Sequence, residues 1–377
     1  MKVLLLSAYA AHSHVHWQQT LQSMFPSWEW TVLDLPPRHF SWRVRGNPLY
    51  WSMVERDTLE DAYDLLLVTS MVDLATLRGL VPALSRLHTV VYFHENQFEY
   101  PQTKQQHSLL DTQISSIYTA LSADRVLFNS RYNRDSFMSG CAALLNKLPD
   151  RVPPGVVSVL QARSAVLPVP ISIDNFSVTD PQWPGAGNQS AGTPLRLLWV
   201  GRFEHDKGGD GLLRVLHCLE RTGLDFELAV IGQQFRHSPQ VFSEIESAFS
   251  QRIVQFGYLE SAGEYRALLR AAHIVLSTAL HEFQGLAVME AVASGCLPVV
   301  PDRLGYRDFY PANFRYASHP DNLEREAESA AEHIQQLVLD LQAGTARVPD
   351  MSAFGSSHLT PQYALEFQSP SRADDSY

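Results

Sequence analysis

The stretch HIVLSTALHEFQGLAVMEAVASGCLPVV (273–300) decides the fold. Residues 273–276 form an apolar run of strand length, Leu286, Met289, Val292 and Ala293 recur at helical spacing, and 297–300 form a second apolar run. The order strand, loop, helix, strand is the unit of a parallel sheet with helical crossovers. In such a unit the loop leaves the carboxyl end of the first strand, and the amides that open the helix stay unpaired until a ligand meets them. That loop carries Glu282 and Gly285, and Glu290 lies about two turns into the helix, so both carboxylates can face one crevice. Paired carboxylates beside a helix N-terminus suit a polyol gripped by its hydroxyls. The alternative is an acidic residue favoured by the helix dipole and an ordinary solvated glutamate.

The same alternation runs through the first half. Short apolar runs at 3–7, 31–35, 64–69, 89–93 and 125–129 are separated by helical patterns at 17–24, 74–80 and 108–120. A doubly wound α/β domain follows, with ligands expected at the carboxyl ends of its strands. The tip after the first strand, Ala8–His16, reads as a polar substrate-facing loop. Its His12, His14 and His16 alternate, but no carboxylate or cysteine close in sequence completes a metal set. Residues 36–51, PPRHFSWRVRGNPLYW, interleave Arg38, Arg43 and Arg45 with aromatic rings. Guanidiniums for phosphates beside rings for bases are what single-stranded RNA needs, and the alternative is a surface loop packed on its own domain. In YFHENQFEYPQ (92–102), His94 stands at a strand end, where a neutral imidazole can bond a sugar hydroxyl, and Asn96 and Gln97 add donors and acceptors. In FNSRYNRDSF (128–137), Asn129 and Ser130 can cap the next helix, with Arg131 and Arg134 one turn apart for an anionic acceptor.

Residues 177–194 are dense in Pro, Gly, Ser and Asn and read as an interdomain linker. A fresh strand leads into GRFEHDKGG (201–209), where Arg202 and Lys207 can converge on one anion at a helix N-terminus. A diphosphate explains them, and a surface ion pair among Arg202, Glu204 and Lys207 is the alternative. Runs at 226–232 and 252–259 and helices near 241–249, 263–270 and 321–342 complete a second doubly wound domain. The expected domains are 1–176, the linker 177–194, and 195–350, with the tail 351–377 returning to the first.

Composition agrees with a globular protein. The chain of 377 residues is too long for one ordinary core, is 45% hydrophobic and 18% charged, and has no run near the ~20 apolar residues of a membrane span. Its start reads as a strand rather than a signal peptide. Cys141, Cys218 and Cys296 lack metal spacing and read as reduced thiols of a cytoplasmic protein. The net charge of −11 lies wholly in the second half: residues 1–170 carry 14 basic and 14 acidic side chains, and 171–377 carry 15 and 26. A neutral first half can still present a local basic face to an anion.

Taken together, these stretches resemble the GT-B glycosyltransferases of family 4. Glu282 and Glu290 match that family's E-x7-E signature, GRFEHDKG its Arg and Lys, and His94 its sugar-facing histidine. YFHENQFEYP, WRVR, FNSRYN, RFEHDK, the opening stretch and GYRDFYP are similar to the tRNA-queuosine α-mannosyltransferases. One departure is Ala11-His12-Ser13-His14, where that family has Gly-Gly-Ser-His; losing the glycines limits backbone approach to a ligand.

The resemblance implies two Rossmann-like domains facing a central cleft that closes about the linker, and retaining transfer of mannose from GDP-mannose to the cyclopentenediol of queuosine at the anticodon wobble position of tRNA(Asp). It implies that Arg202 and Lys207 hold the donor diphosphate without a metal or other cofactor. Glu290 then grips the ribose, Glu282 with the amides of Phe283, Gln284 and Gly285 positions mannose, and His94 contacts it. His14, Arg43, Arg45, Asn96, Gln97, Asn129, Arg131 and Arg134 are the candidates for the acceptor. Two alternatives stay open: the same fold acting on a lipid, polysaccharide or small molecule, and a nucleotide-sugar-binding protein without catalysis.

Overall fold

A computed structural model describes residues 1–99, 109–173, 180–184, 194–236 and 238–368. The chain divides into two units, one spanning Met1–Pro170 and taking in the helix Ser356–Phe367, the other spanning Ile171–Gly355.

In the first unit the strands are β1 (Lys2–Ser7), β2 (Glu29–Asp34), β3 (Leu65–Thr69), β4 (His88–Phe93), β5 (Arg125–Phe128) and β6 (Ser164–Val166). They form one parallel sheet in the order β2-β1-β3-β4-β5-β6. Leu4, Leu6, Leu66, Val68, Val91 and Phe93 fill one face, while Val3, Leu5, Leu65, Leu67, Val90 and Tyr92 are buried on the other. Both faces are covered, which is why these strands are apolar throughout rather than alternating. The helix Ser356–Phe367 closes the second face: Tyr363 Oη accepts from Trp17 Nε1 (3.1 Å) and donates to Pro168 O (3.0 Å). Arg125 Nε donates to Glu366 at 2.8 Å. Residues 356–368 thus pack on the first unit, whereas 351–355 belongs to the second, and residues 369–377 lie outside the described residues.

The second unit repeats the plan with β7 (Leu195–Val200), β8 (Phe226–Ile231), β9 (Ile253–Gly257), β10 (Ile274–Leu276), β11 (Leu297–Pro301) and β12 (Arg315–Tyr316), all parallel in the order β12-β11-β10-β7-β8-β9. Alternate residues serve two cores: Leu197, Trp199, Leu228 and Val230 on one face, Leu198, Ala229, Ile231 and Val275 on the other.

Three sequence expectations change. The tip after β1 is not a loop throughout, because the helix His12–Met24 begins within it and separates its histidines by helical rotation. Ala11 is extended (φ −67°, ψ 163°), so the alanine that replaces a glycine costs no strain. Residues 36–51 are not a loop either: the helix Phe40–Val54 occupies most of them. Gly46 and Pro48 locally disfavour a helix, yet each has a local reason. A Cβ on Gly46 would strike the Trp42 ring at 2.5 Å. Pro48 has no N–H for the carbonyl of Val44, and Asn47 Nδ2 donates to that oxygen instead, at 3.0 Å. Finally, much of 177–194 lies outside the described residues, but 180–184 packs on the second unit. Trp183 is buried there, its Nε1 donating to Glu227 Oε2 at 2.6 Å.

Candidate active site

In the second unit β7 and β10 are neighbours, and the strand order reverses between them. Ligands of open parallel sheets bind at the carboxyl ends of strands at such a reversal. The loops there are tied together by backbone and Thr278. Leu280 N and His281 N both donate to Asp206 O (2.8 and 3.1 Å), and Thr278 Oγ1 donates to Gly208 O (2.9 Å) while accepting from Trp199 Nε1 (3.1 Å). Gly208 has φ 73°, and a Cβ on it would lie 1.9 Å from Thr278 O. No other residue fits this approach. Arg303 anchors the β10 loop from behind, its Nη2 donating to Ala279 O (2.9 Å) and to Glu326 Oε1 (2.9 Å).

Lys207 lies at the centre, in a short 3-10 turn rather than in the helix that follows. Its Nζ is 3.1 Å from Glu282 Oε2, 3.1 Å from Asp206 Oδ2 and 3.2 Å from His281 O. Burial disfavours its charge, but Glu282 and then Asp206 outweigh that and hold the ammonium above its ordinary value. Burial likewise acts against the Glu282 and Asp206 carboxylates, and Lys207 outweighs it, leaving both below their ordinary values. All three groups are therefore charged at neutral pH. Arg202 ion-pairs with Glu204 at 2.9 Å. Lys207 turns instead to Glu282 and Asp206.

Beyond Glu282 the chain enters the helix Leu286–Ala293 through Gly285 (φ 77°). Phe283 N donates to Glu282 Oε1 (3.1 Å), and Gln284 is buried, its amide against Met289 Sδ (3.5 Å). Glu290 accepts from Tyr265 Oη at 2.9 Å. Tyr306 and Tyr310 border the site. Burial first and the Glu282 charge second push both phenols upward, so they stay protonated donors. Tyr306 Oη meets Ser277 Oγ at 2.6 Å.

In the first unit His94 follows β4 and stacks on His14, with ring centroids 4.1 Å apart and planes 21° apart. Trp17 meets it edge-on at 5.1 Å. Burial, the largest cause, pushes His94 well below its ordinary value, so the ring is neutral. A buried amide scaffold aims it. Asn129 Nδ2 donates to His94 O (2.8 Å), Asn133 Nδ2 to Asn129 Oδ1 (2.8 Å), and Asn96 Nδ2 to Asn133 Oδ1 (2.9 Å). Ser130 caps the following helix by accepting from Asn133 N (3.0 Å). Asn96 and Asn129, candidates for the acceptor, thus face inward, as does Gln97, whose amide lies against Met71 Sδ at 3.5 Å. Arg45 reaches Asp73 (2.7 Å) from the exposed side, Arg43 is half-buried, Arg131 is exposed, and Arg134 pairs with Asp135 (2.8 Å). Tyr100–Gln102 lie outside the described residues.

Several functional partners were not read from the sequence. Asp206 stands inside the quoted GRFEHDKG, so a local signal existed. Glu95 and Thr278 likewise stand inside the quoted stretches 92–102 and 273–300, whereas Tyr265 reaches Glu290 from outside any quoted stretch. Glu95 supplies to His14 (3.1 Å) the carboxylate that the histidine tip lacks in sequence. Among the described residues no three His, Cys, Asp or Glu side chains group as a metal would require, and no helix is long and apolar enough to cross a membrane.

Comparison with known proteins bears on both units. Residues 2–171 match the family model described as tRNA-queuosine alpha-mannosyltransferase N-terminal, and 186–344 match Glycosyl transferases group 1. The chain is 32% identical over 287 residues to the tRNA-queuosine alpha-mannosyltransferase of Drosophila melanogaster, covering 76% of this chain and 75% of that protein. It is 27% identical over 193 residues, 48% of each chain, to the GDP-mannose:cellobiosyl-diphosphopolyprenol alpha-mannosyltransferase of Xanthomonas oryzae. A crystal structure of Anabaena HepE in complex with UDP and glucose superposes over 97% of this chain and 98% of that one with a TM-score of 0.67 at 14% identity, a likeness of fold. Two parallel six-stranded sheets of this plan are the GT-B architecture, and the chain belongs to the tRNA-queuosine alpha-mannosyltransferase family of glycosyltransferases.

Proposed function

We propose that the protein transfers mannose from GDP-mannose to the cyclopentenediol of queuosine in the anticodon of tRNA(Asp), with retention and without a metal. The observation that carries this reading is the part-buried Lys207 cation, held between the β7 and β10 loops by Glu282 and Asp206. A donor diphosphate entering at this strand reversal takes the place of a carboxylate on Lys207 and brings Arg202 off Glu204. Fixed cations in a water-poor site stabilise the leaving diphosphate. Glu290, already hydrogen-bonded by Tyr265, takes the ribose hydroxyls. Glu282, released from Lys207, takes mannose together with the amides of Phe283, Gln284 and Gly285. His94 is the first unit's catalytic contribution.

The donor assignment draws support from two relatives named as alpha-mannosyltransferases, one of which names GDP-mannose. On the acceptor side, Arg43, Arg45 and Arg131 lie on helices within residues 1–170, whose basic and acidic side chains balance, and suit phosphate contacts, with Arg134 beside them. The test is incubation with GDP-mannose and queuosine-containing tRNA(Asp), followed by mass spectrometry of the nucleosides. A hexose gain on queuosine is expected; transfer to a lipid-linked acceptor with none to tRNA overturns the reading.

A further inference from the structure

We infer that Glu95 and His14 form a hydroxyl-accepting pair, in which Glu95 fixes the imidazole so that its bare Nδ1, beside His94, binds a vicinal diol on the acceptor. This deepens the proposed function and rests on it for the identity of the diol.

Three ring nitrogens in this cluster are buried and lack hydrogen-bond partners among the described residues: His14 Nδ1, His94 Nδ1 and His94 Nε2. Buried polar atoms are nearly always partnered, so three orphans on two stacked rings call for a ligand. His14 and His94 are 1% and 5% exposed, and both lie beyond the carboxyl ends of their strands, where ligands of parallel sheets collect.

The protonation pattern follows from the partners. The Glu95 carboxylate can only accept, so the 3.1 Å contact places a proton on His14 Nε2. A second proton on Nδ1 would be a buried donor with nothing to receive it, which costs more than an idle lone pair. His14 therefore offers one acceptor, and the neutral His94 ring offers one donor and one acceptor. Two adjacent hydroxyls, each able to give and to take, match that set; a phosphate, which only accepts, does not. His16 cannot contribute, because its Nε2 is bound to Pro170 O at 2.9 Å. Glu95 touches no ligand here and is a positioning residue.

The experiment has two arms. In the first, ¹⁵N-histidine NMR of the full ligand-free chain reads the His14 tautomer, with His14→Gln assigning the signal. The Nε2–H form with an unprotonated Nδ1 is expected, and a loss of that preference in Glu95→Gln, whose amide can donate as well as accept. An Nδ1–H or doubly protonated His14 overturns the proposal whether or not the protein acts on tRNA. In the second, Glu95→Gln is assayed against tRNA and GDP-mannose separately, with its thermal midpoint measured to show that it folds. About a tenfold rise in KM for tRNA, the size of one hydrogen bond to a ligand, with KM for GDP-mannose unchanged is expected. An unchanged KM for tRNA, or equal rises for both substrates, overturns it. If wild type transfers nothing to tRNA, the acceptor identity fails, while the tautomer arm still decides the pair.

Discussion

Lys207 Nζ and Glu282 Oε2 meet at 3.1 Å across 75 residues of chain. The loops that carry them leave adjacent parallel strands, so the contact is set by the β7·β10 pairing rather than by either loop alone. Under the proposed function, this acid is what the donor diphosphate displaces from the cation. A site held in this way is preorganised without leaving a part-buried charge uncompensated.

Replacing Lys207 with Ala is expected to lower kcat/KM by about 10³, in the range seen when one preorganised donor to developing charge is lost. The thermal midpoint should also fall, since Glu282 and Asp206 remain as facing acids. Steady-state kinetics and a melting curve check this, and activity within tenfold of wild type sinks the role of Lys207.

Gly208→Ala forces a Cβ to within 1.9 Å of the Thr278 carbonyl oxygen in a left-handed conformation. The two site loops must separate. We expect destabilisation of more than about 1 kcal/mol together with weakened donor binding, read by urea unfolding and by calorimetric titration of GDP-mannose. Gly223→Ala is the control. It shares the positive φ but has no neighbour within 4 Å, so its donor affinity should stay unchanged.

His94 gives stability a pH dependence of known sign. Its unfolded form takes a proton near the ordinary value of 6.5, whereas burial pushes the folded form well below it. The unfolded chain therefore binds more protons below pH 6.5, and stability falls as pH falls through that range, by up to about 1.4 kcal/mol per unit. Urea midpoints at pH 7.5 and 5.5 should drop further for wild type than for His94→Gln. His88, His273 and His333 are also depressed, chiefly by burial, and contribute the same background to both proteins. Equal drops would sink the assignment.

Asn47→Ala removes the donor that replaces the missing N–H of Pro48. Val44 O and Met71 O lose a partner at 3.0 and 3.2 Å, and Asp73 N loses the Asn47 Oδ1 acceptor at 3.2 Å. A loss of about 1–3 kcal/mol is expected for buried groups left unpaired. Asn47→Ala paired with Pro48→Ala should recover part of it, because the helix then regains its own bond; no recovery in the double variant would refute this account of the helix.

By itself the sequence determined the wound α/β plan of both units, since strands covered on two faces must be apolar throughout and helices must keep one apolar stripe. It also marked the loops of the candidate site, because Arg202, Lys207, Glu282 and Glu290 lie within short motifs beside strand ends. Only the tertiary structure decided who partners whom. Lys207 with Glu282, Glu290 with Tyr265 and His14 with Glu95 are contacts between segments far apart in the chain, and no local pattern encodes a distance across a sheet. The helix Phe40–Val54 belongs to the same class. Its sequence carries a glycine and a proline that locally disfavour a helix, and the bonds and burial that stabilise it come in part from the segment around Met71 and Asp73.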